Sequence, residues 1–112
     1  MRRHVEERGR RVVYRRSGGW CETCDLQQAH EWHHRLNRSQ GGTWAPSNGL
    51  HVCRPCHDWI GLWPVSALER GWHLEPRDDP GTARVWLARR GWSLLADSGD
   101  IDVIDVAHAH HW

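Results

Sequence analysis

Cys21-Glu22-Thr23-Cys24, His33-His34-Arg35, Ser47-Asn48 and Cys53-Arg54-Pro55-Cys56-His57 lie within one 37-residue stretch and decide how the chain is read. In each Cys pair a two-residue gap lets both thiolates reach one ion. Two such pairs, Cys21/Cys24 and Cys53/Cys56, can close a tetrahedral four-sulfur shell around a structural zinc. The 28 residues between the pairs exceed the roughly 15–20 of a simple zinc ribbon. Something sizeable is therefore held between the two knuckles, and it contains the His pair. The competing readings are buried small hydrophobes, or a redox motif in one pair. Against the redox reading, Cys21 follows a Gly18-Gly19 turn rather than the strand such a motif requires. The histidines left over can hold a second, open metal centre.

Working outward, the chain has 112 residues, which predicts one domain with a short arm or tail. A core of this size is modest, so a structural metal would help it. Phe is absent and nine Trp supply most of the aromatic bulk. All 15 long cationic residues are Arg, a type suited to bidentate phosphate contacts. Net charge is only +1, yet residues 1–57 carry ten Arg against five acids and residues 58–112 carry five against nine. That asymmetry, +5 against −4, predicts a localised phosphate-binding face. No apolar run approaches the roughly 20 residues that span a bilayer, so no membrane partner is expected. The first residues lack the apolar stretch of a signal peptide. The expectation is a cytoplasmic protein whose Cys are metal ligands rather than disulfides.

The pattern divides the chain into a basic N-terminal arm (1–19), a motif-rich core (20–62) and an extension of helix and strands (63–112). Seven Arg fall in the first 16 positions, either as a solvated, partly helical terminus or as an arm lying along a nucleic-acid backbone. Ala29–Leu36 reads as a strand, with His30, Trp32 and His34 on one side and Glu31, His33 and Arg35 on the other. Leu50–Val52 reads as a second strand. Pro55 suits a first helical turn, and that helix should stop before Pro64. A short helix over 65–71 ends at Gly71. Strand-like pieces follow at 72–75, 83–88, 92–95 and 101–106. His108, His110 and His111 read as part of a frayed tail.

At His33-His34-Arg35, Gly41-Gly42, Asn48 and Cys53-x-x-Cys56-His57 the chain resembles the HNH endonuclease family, in particular its small zinc-stabilised bacteriophage members. Thirteen residues separate His34 from Asn48 and eight separate Asn48 from His57, close to the family spacing. The resemblance covers residues 20 to about 60. It implies a small α+β fold: a ββα-metal finger with a catalytic divalent ion between hairpin and helix. Gly49 departs from the pattern, standing where phage members commonly place Leu, which would loosen the approach to the second strand.

Hydrolysing a phosphodiester needs an activated water, neutralised phosphoryl charge and help for the leaving oxygen. A His poised near neutral pH can take the water's proton, and a divalent ion can stabilise the charge. Neighbours on a strand point in opposite directions, so His33 and His34 cannot easily share one job. By resemblance His33 and His57 are ligands of the catalytic ion (Mg2+, Mn2+, Ni2+ or Zn2+) and His34 is the general base. Asn48 fixes the loop and orients that base. Arg35, Arg38 and Arg54 are expected to grip phosphates. His30 is a candidate partner of His34, and His51 a candidate lining residue. The function expected is metal-dependent DNA cleavage, with terminase subunits of a phage as implied partners. The alternatives are a non-catalytic zinc-finger DNA-binding module and an interaction protein that uses zinc only to fold.

Overall fold

The computed structural model describes residues 2–104; the histidines at 108, 110 and 111 lie outside that range. The N-terminal segment is one helix, α1 (Arg2–Ser17). Arg15 and Arg16 occupy its last turn, where cations oppose the negative end of the helix dipole. Gly18 and Gly19 stop it with φ of 65° and 83°, a conformation that costs glycine nothing. This segment is not a free arm. Val13 is fully buried, and the Arg16 guanidinium donates to Glu22 at 2.8 Å, to the Pro46 carbonyl at 2.9 Å and to the Gly49 carbonyl at 2.7 Å. A Cβ at Gly9 would meet the Trp44 carbonyl at 2.1 Å, so glycine there lets α1 lie directly on the loop of the hairpin.

That hairpin pairs β1 (Glu31–His34) with β2 (Gly49–Val52) antiparallel, in the register Glu31↔Val52, Trp32↔His51, His33↔Leu50 and His34↔Gly49. Alternation puts Glu31 and His33 on one face and Trp32 and His34 on the other. β1 is shorter than the sequence suggests: the Ala29 amide bonds Gly19, outside the hairpin, and past His34 a single in-register bond, from the Arg35 amide to the Asn48 carbonyl, closes the pairing. Gly49 does not loosen the turn: a Cβ there would lie 2.1 Å from the Trp32 ring. Glycine is what allows the indole to cover the strand.

Helix α2 (Arg54–Leu62) follows at once, with Pro55 in its first turn, and α3 (Pro64–Glu69) comes next. Beyond α3 the chain folds back on its own end, the amides of Trp72 and His73 both reaching the Ala67 carbonyl at 2.9 and 3.3 Å. Residues 72–75 are therefore not a strand. The Leu74 amide bonds the Arg35 carbonyl at 2.9 Å, which sets this turn against the end of β1. A second antiparallel sheet, β3 (Val85–Leu87), β4 (Gly91–Leu95) and β5 (Ile101–Val103), completes the α+β fold. Arg89 ties that sheet to the first knuckle through Asp25 at 2.8 Å. Leu50, Val52, Ile60, Ala67, Val85 and Leu95 form the centre of the shared core. Among the described residues no helix is long and apolar enough to cross a membrane.

Candidate metal centres

The first centre is the cysteine cluster. The four Sγ atoms of Cys21, Cys24, Cys53 and Cys56 all lie within 4.8 Å of one another. A tetrahedral zinc with bonds of about 2.3 Å would hold its sulfurs about 3.8 Å apart, and Cys24 Sγ lies 3.8 Å from Cys53 Sγ. The donor set therefore fits a metal such as zinc. Cys21 and Cys53 are buried, Cys53 leading into α2 as its N-cap. Burial opposes ionisation of Cys21, but the Thr23 hydroxyl at 3.2 Å and nearby backbone groups outweigh it and bring the thiol down to about 6. Burial pushes Cys53 and Cys56 up, and the neighbouring Cys21 adds to both. One thiolate, Cys21, thus forms readily, whereas Cys53 and Cys56 resist. A divalent cation at the centre removes that resistance.

The second cluster joins hairpin to helix. His33 from β1 and His57 from α2 have ring centroids 5.2 Å apart, and His73 stands equally far from His33 on another side. His33 is buried, and its Nε2 lies 2.7 Å from the Trp72 carbonyl oxygen. A carbonyl only accepts, so Nε2 carries the proton and Nδ1 keeps its lone pair. Burial, with further lowering from His73, His57 and His34, holds His33 down to about 3 against the support of that carbonyl. It is a neutral imidazole at neutral pH. The Nδ1 of His57 contacts the Glu31 carboxylate, and Arg54 reaches the other Glu31 oxygen at 3.4 Å. Among the described residues, the four sulfurs alone form a group of three or more such donors all within 4.8 Å of one another.

His34 does not join this cluster. It lies across the hairpin between Trp32 and Trp44, at centroid distances of 4.7 and 4.4 Å. Its Nε2 is buried without a hydrogen-bond partner. Burial, followed by Arg38 and Arg10, lowers its pKa. Its ring thus packs on the tryptophan face of the hairpin, opposite the face that carries His33 and Glu31, and not where the general-base expectation would put it.

Asn48 is buried and fully engaged. Its Oδ1 accepts from the Leu36 amide at 2.8 Å, and its Nδ2 donates to the Leu36 and Thr43 carbonyls at 3.1 and 3.0 Å. It clamps the loop that joins β1 to β2.

Of the three Arg expected to hold phosphate, Arg35 does not. It is 0% exposed, and its guanidinium donates to the carbonyls of Gly71, Ser47, Pro80, Ala83 and Arg84. It is an internal strut. Arg38 and Arg54 are exposed, Arg54 on the His57 side and Arg38 stacked over Trp44 on the His34 side. His51 is buried against Ser17 and Tyr14 under α1, and His30 opens onto a groove with Tyr14, Trp20 and Arg89. Neither lines the His33–His57 pair.

Sequence reading missed Glu31 and His73 as site residues. The alternation of β1 already set Glu31 beside His33. Nothing in the spacing pointed to His73, which arrives through the turn after α3. No family model, curated protein or solved structure matches the chain.

Proposed function

We propose that the protein is a metal-dependent nuclease of the HNH type, hydrolysing DNA phosphodiester bonds at an ion held by His33 and His57. One observation carries this reading. Both imidazoles hand one ring nitrogen to a fixed partner, Trp72 O for His33 and the Glu31 carboxylate for His57. That is the pattern of metal-ligating histidines, whose second nitrogen is thereby aimed and made more basic. A pair kept only for packing would need no such matched set of partners.

When bound, the ion would polarise the phosphoryl group and lower the pKa of its water. The chain's own residues do the rest. The Asn48 clamp keeps the end of β1 in place, Glu31 holds the His57 ring, and Arg54 stands exposed at the same face to meet a phosphate. A second phosphate-binding surface runs along α1. His4, Arg8, Arg11 and Arg15 share one helical face and are exposed. These three Arg have no carboxylate partner among the described ion pairs. Terminase subunits of a phage and the host cytoplasm belong to this proposal only through the family resemblance. The same α1 stripe, with the four-sulfur site, also suits a zinc module that binds DNA without cutting it.

The deciding experiment incubates the zinc-loaded chain with supercoiled plasmid plus Mg2+, Mn2+, Ni2+ or further Zn2+, then with a chelator. Nicked or linear product that disappears in chelator and in His33→Ala supports the nuclease. Binding without product under every ion leaves the DNA-binding module.

A further inference from the structure

His73 is half-buried and plays no part in the motif that suggested the second centre. Its position is nevertheless firmly set. Its amide reaches back to Ala67 at the end of α3, and the next residue bonds the end of β1. The residue before it supplies the carbonyl that fixes the His33 tautomer. Three elements thus converge on one imidazole from β1, one from α2 and one from the turn after α3.

We propose that His73 is the third imidazole ligand of the ion held by His33 and His57, and that Glu31 is the positioning residue for His57. This rests on the reading of His33 and His57 as ligands. Two imidazoles bound to one ion at about 2.1 Å have ring centroids about 5 Å apart. Both centroid distances from His33 are 5.2 Å, to His57 and to His73. The nearest nitrogens of the three rings do not all lie as close together as the four sulfurs, and small turns about χ2, a broad and soft torsion, would bring them to an ion while His33 and His57 keep their Trp72 and Glu31 contacts. Solvent reaches this region by two openings, one lined by His57, Asp58 and Leu62, the other by Asn37, Leu68, His73 and Glu75. An ion held there would be within reach of water or a phosphate oxygen through these openings.

The donor set also names the class of metal. Three neutral imidazoles suit Zn2+, Ni2+, Cu2+ or Co2+, whereas Mg2+ prefers oxygen ligands and keeps its waters. The ion at this centre is therefore a borderline transition metal rather than magnesium.

The test is nickel titration by calorimetry and absorption on the full chain with its four-sulfur site filled by zinc. His108, His110 and His111 are replaced by Ala throughout, so that the C-terminal histidines take no nickel. The reference chain should bind one Ni2+ beyond its zinc. His73→Ala and the bulkier His73→Gln should weaken that affinity at least tenfold and shift the ligand-field spectrum. Glu31→Gln should weaken it about 10–100-fold, the usual effect of losing a ligand's hydrogen-bond partner, and His33→Ala should abolish it. Zinc content and melting temperature identify the folded variants. Unchanged nickel affinity and spectrum in folded His73→Gln would overturn the proposal, as would preferential retention of Mg2+. Nickel binding that depends on His73, without plasmid cleavage under any ion, ends the nuclease reading and leaves this inference standing. Cleavage that depends on His33 but ignores His73, with unchanged nickel affinity, does the reverse.

Discussion

Replacing Arg35 by Met distinguishes an internal strut from a phosphate ligand, because the two roles move different observables. Arg35 is wholly buried and has no carboxylate partner among the ion pairs of the described residues. Its forked guanidinium instead serves five backbone carbonyls, with the Gly71 and Ser47 contacts at 2.8 and 2.9 Å fully enclosed. Methionine fills most of the stem's volume but donates nothing. Each enclosed carbonyl left without a donor costs about 1–3 kcal/mol, so the pair alone costs about 2–6 kcal/mol. A domain of this size has only about 5–15 kcal/mol in total. At roughly 4 °C per kcal/mol, the zinc-loaded variant should melt on the order of 10–25 °C below wild type. Arg35→Lys should lose nearly as much, since one ammonium cannot reach carbonyls spread from Ser47 to Arg84. The assay is thermal denaturation followed by circular dichroism, beside DNA affinity measured well below the transition. A variant that melts within a few degrees of wild type but binds DNA markedly more weakly would refute the reasoning and return Arg35 to the phosphate-binding face.

Other expectations are simpler. Metal analysis should find about one tightly held zinc per chain, and Cys53→Ser should be unfolded or insoluble; a zinc-free wild type that folds normally would contradict this. His34→Ala should keep its nickel affinity and most of any cleavage. A loss of about 10²–10⁴-fold, the usual worth of a general base, would show that β1 opens at its end to deliver His34. Replacing Arg8, Arg11 and Arg15 by Gln should lower the slope of log DNA affinity against log salt by up to about 2.7, roughly 0.9 for each contact, without changing the melting temperature. The pH dependence of stability should carry the signature of His33. Its pKa falls from 6.5 to about 3 on folding, so below pH 6.5 the unfolded chain takes up a proton that the folded chain refuses. Its contribution is complete above that pH and declines toward pH 3. Between pH 6.5 and 5.5, urea unfolding of wild type should lose about 1 kcal/mol more than that of His33→Gln.

The four-cysteine cluster, the hairpin and the helix opened by Pro55 were legible because each rests on local rules: ligand spacing, alternation along a strand and the missing N–H of proline. Alternation also separated His33 from His34 correctly. It could not tell which face would meet α2, and so it could not reveal that His34 would be enclosed by Trp32 and Trp44. That choice is tertiary. It depends on Gly9 admitting α1 against the loop and on Gly49 admitting the Trp32 ring. The basic N-terminal segment left two readings open for a related reason. Charge runs report composition, whereas helix α1 sorts its Arg by angle, turning Arg16 inward to Glu22 and leaving Arg8, Arg11 and Arg15 outside. Asn48 was legible as a loop residue, and its three side-chain bonds are the loop role in physical form. His73 was not, because its partners lie 16 and 40 positions away in the chain.

The all-Arg composition gains a second meaning from these buried residues. Residues 43–48 and 71–84 contribute no strand, so their carbonyls have no sheet partners, yet several are packed inside. Buried carbonyls need donors. Arg16 supplies one at Pro46, and another at Gly49 where β2 begins, and Arg35 supplies Ser47, Gly71, Pro80, Ala83 and Arg84. A lysine could not replace either one. Its three donors radiate from a single atom, while a guanidinium spreads five over a rigid plane and gives up its hydration more readily. Two Arg thus do for these loops what sheet pairing does elsewhere, in a domain with no Phe and a small core. The phosphate-facing charge must then be counted without them. Removing Arg16 with its partner Glu22, and Arg35, leaves eight Arg against four acids in the basic half, and among the described residues the Arg without a carboxylate partner lie mostly on α1, with Arg8, Arg11 and Arg15 on its outer face. If DNA binds this protein, that helix is where its salt dependence should originate.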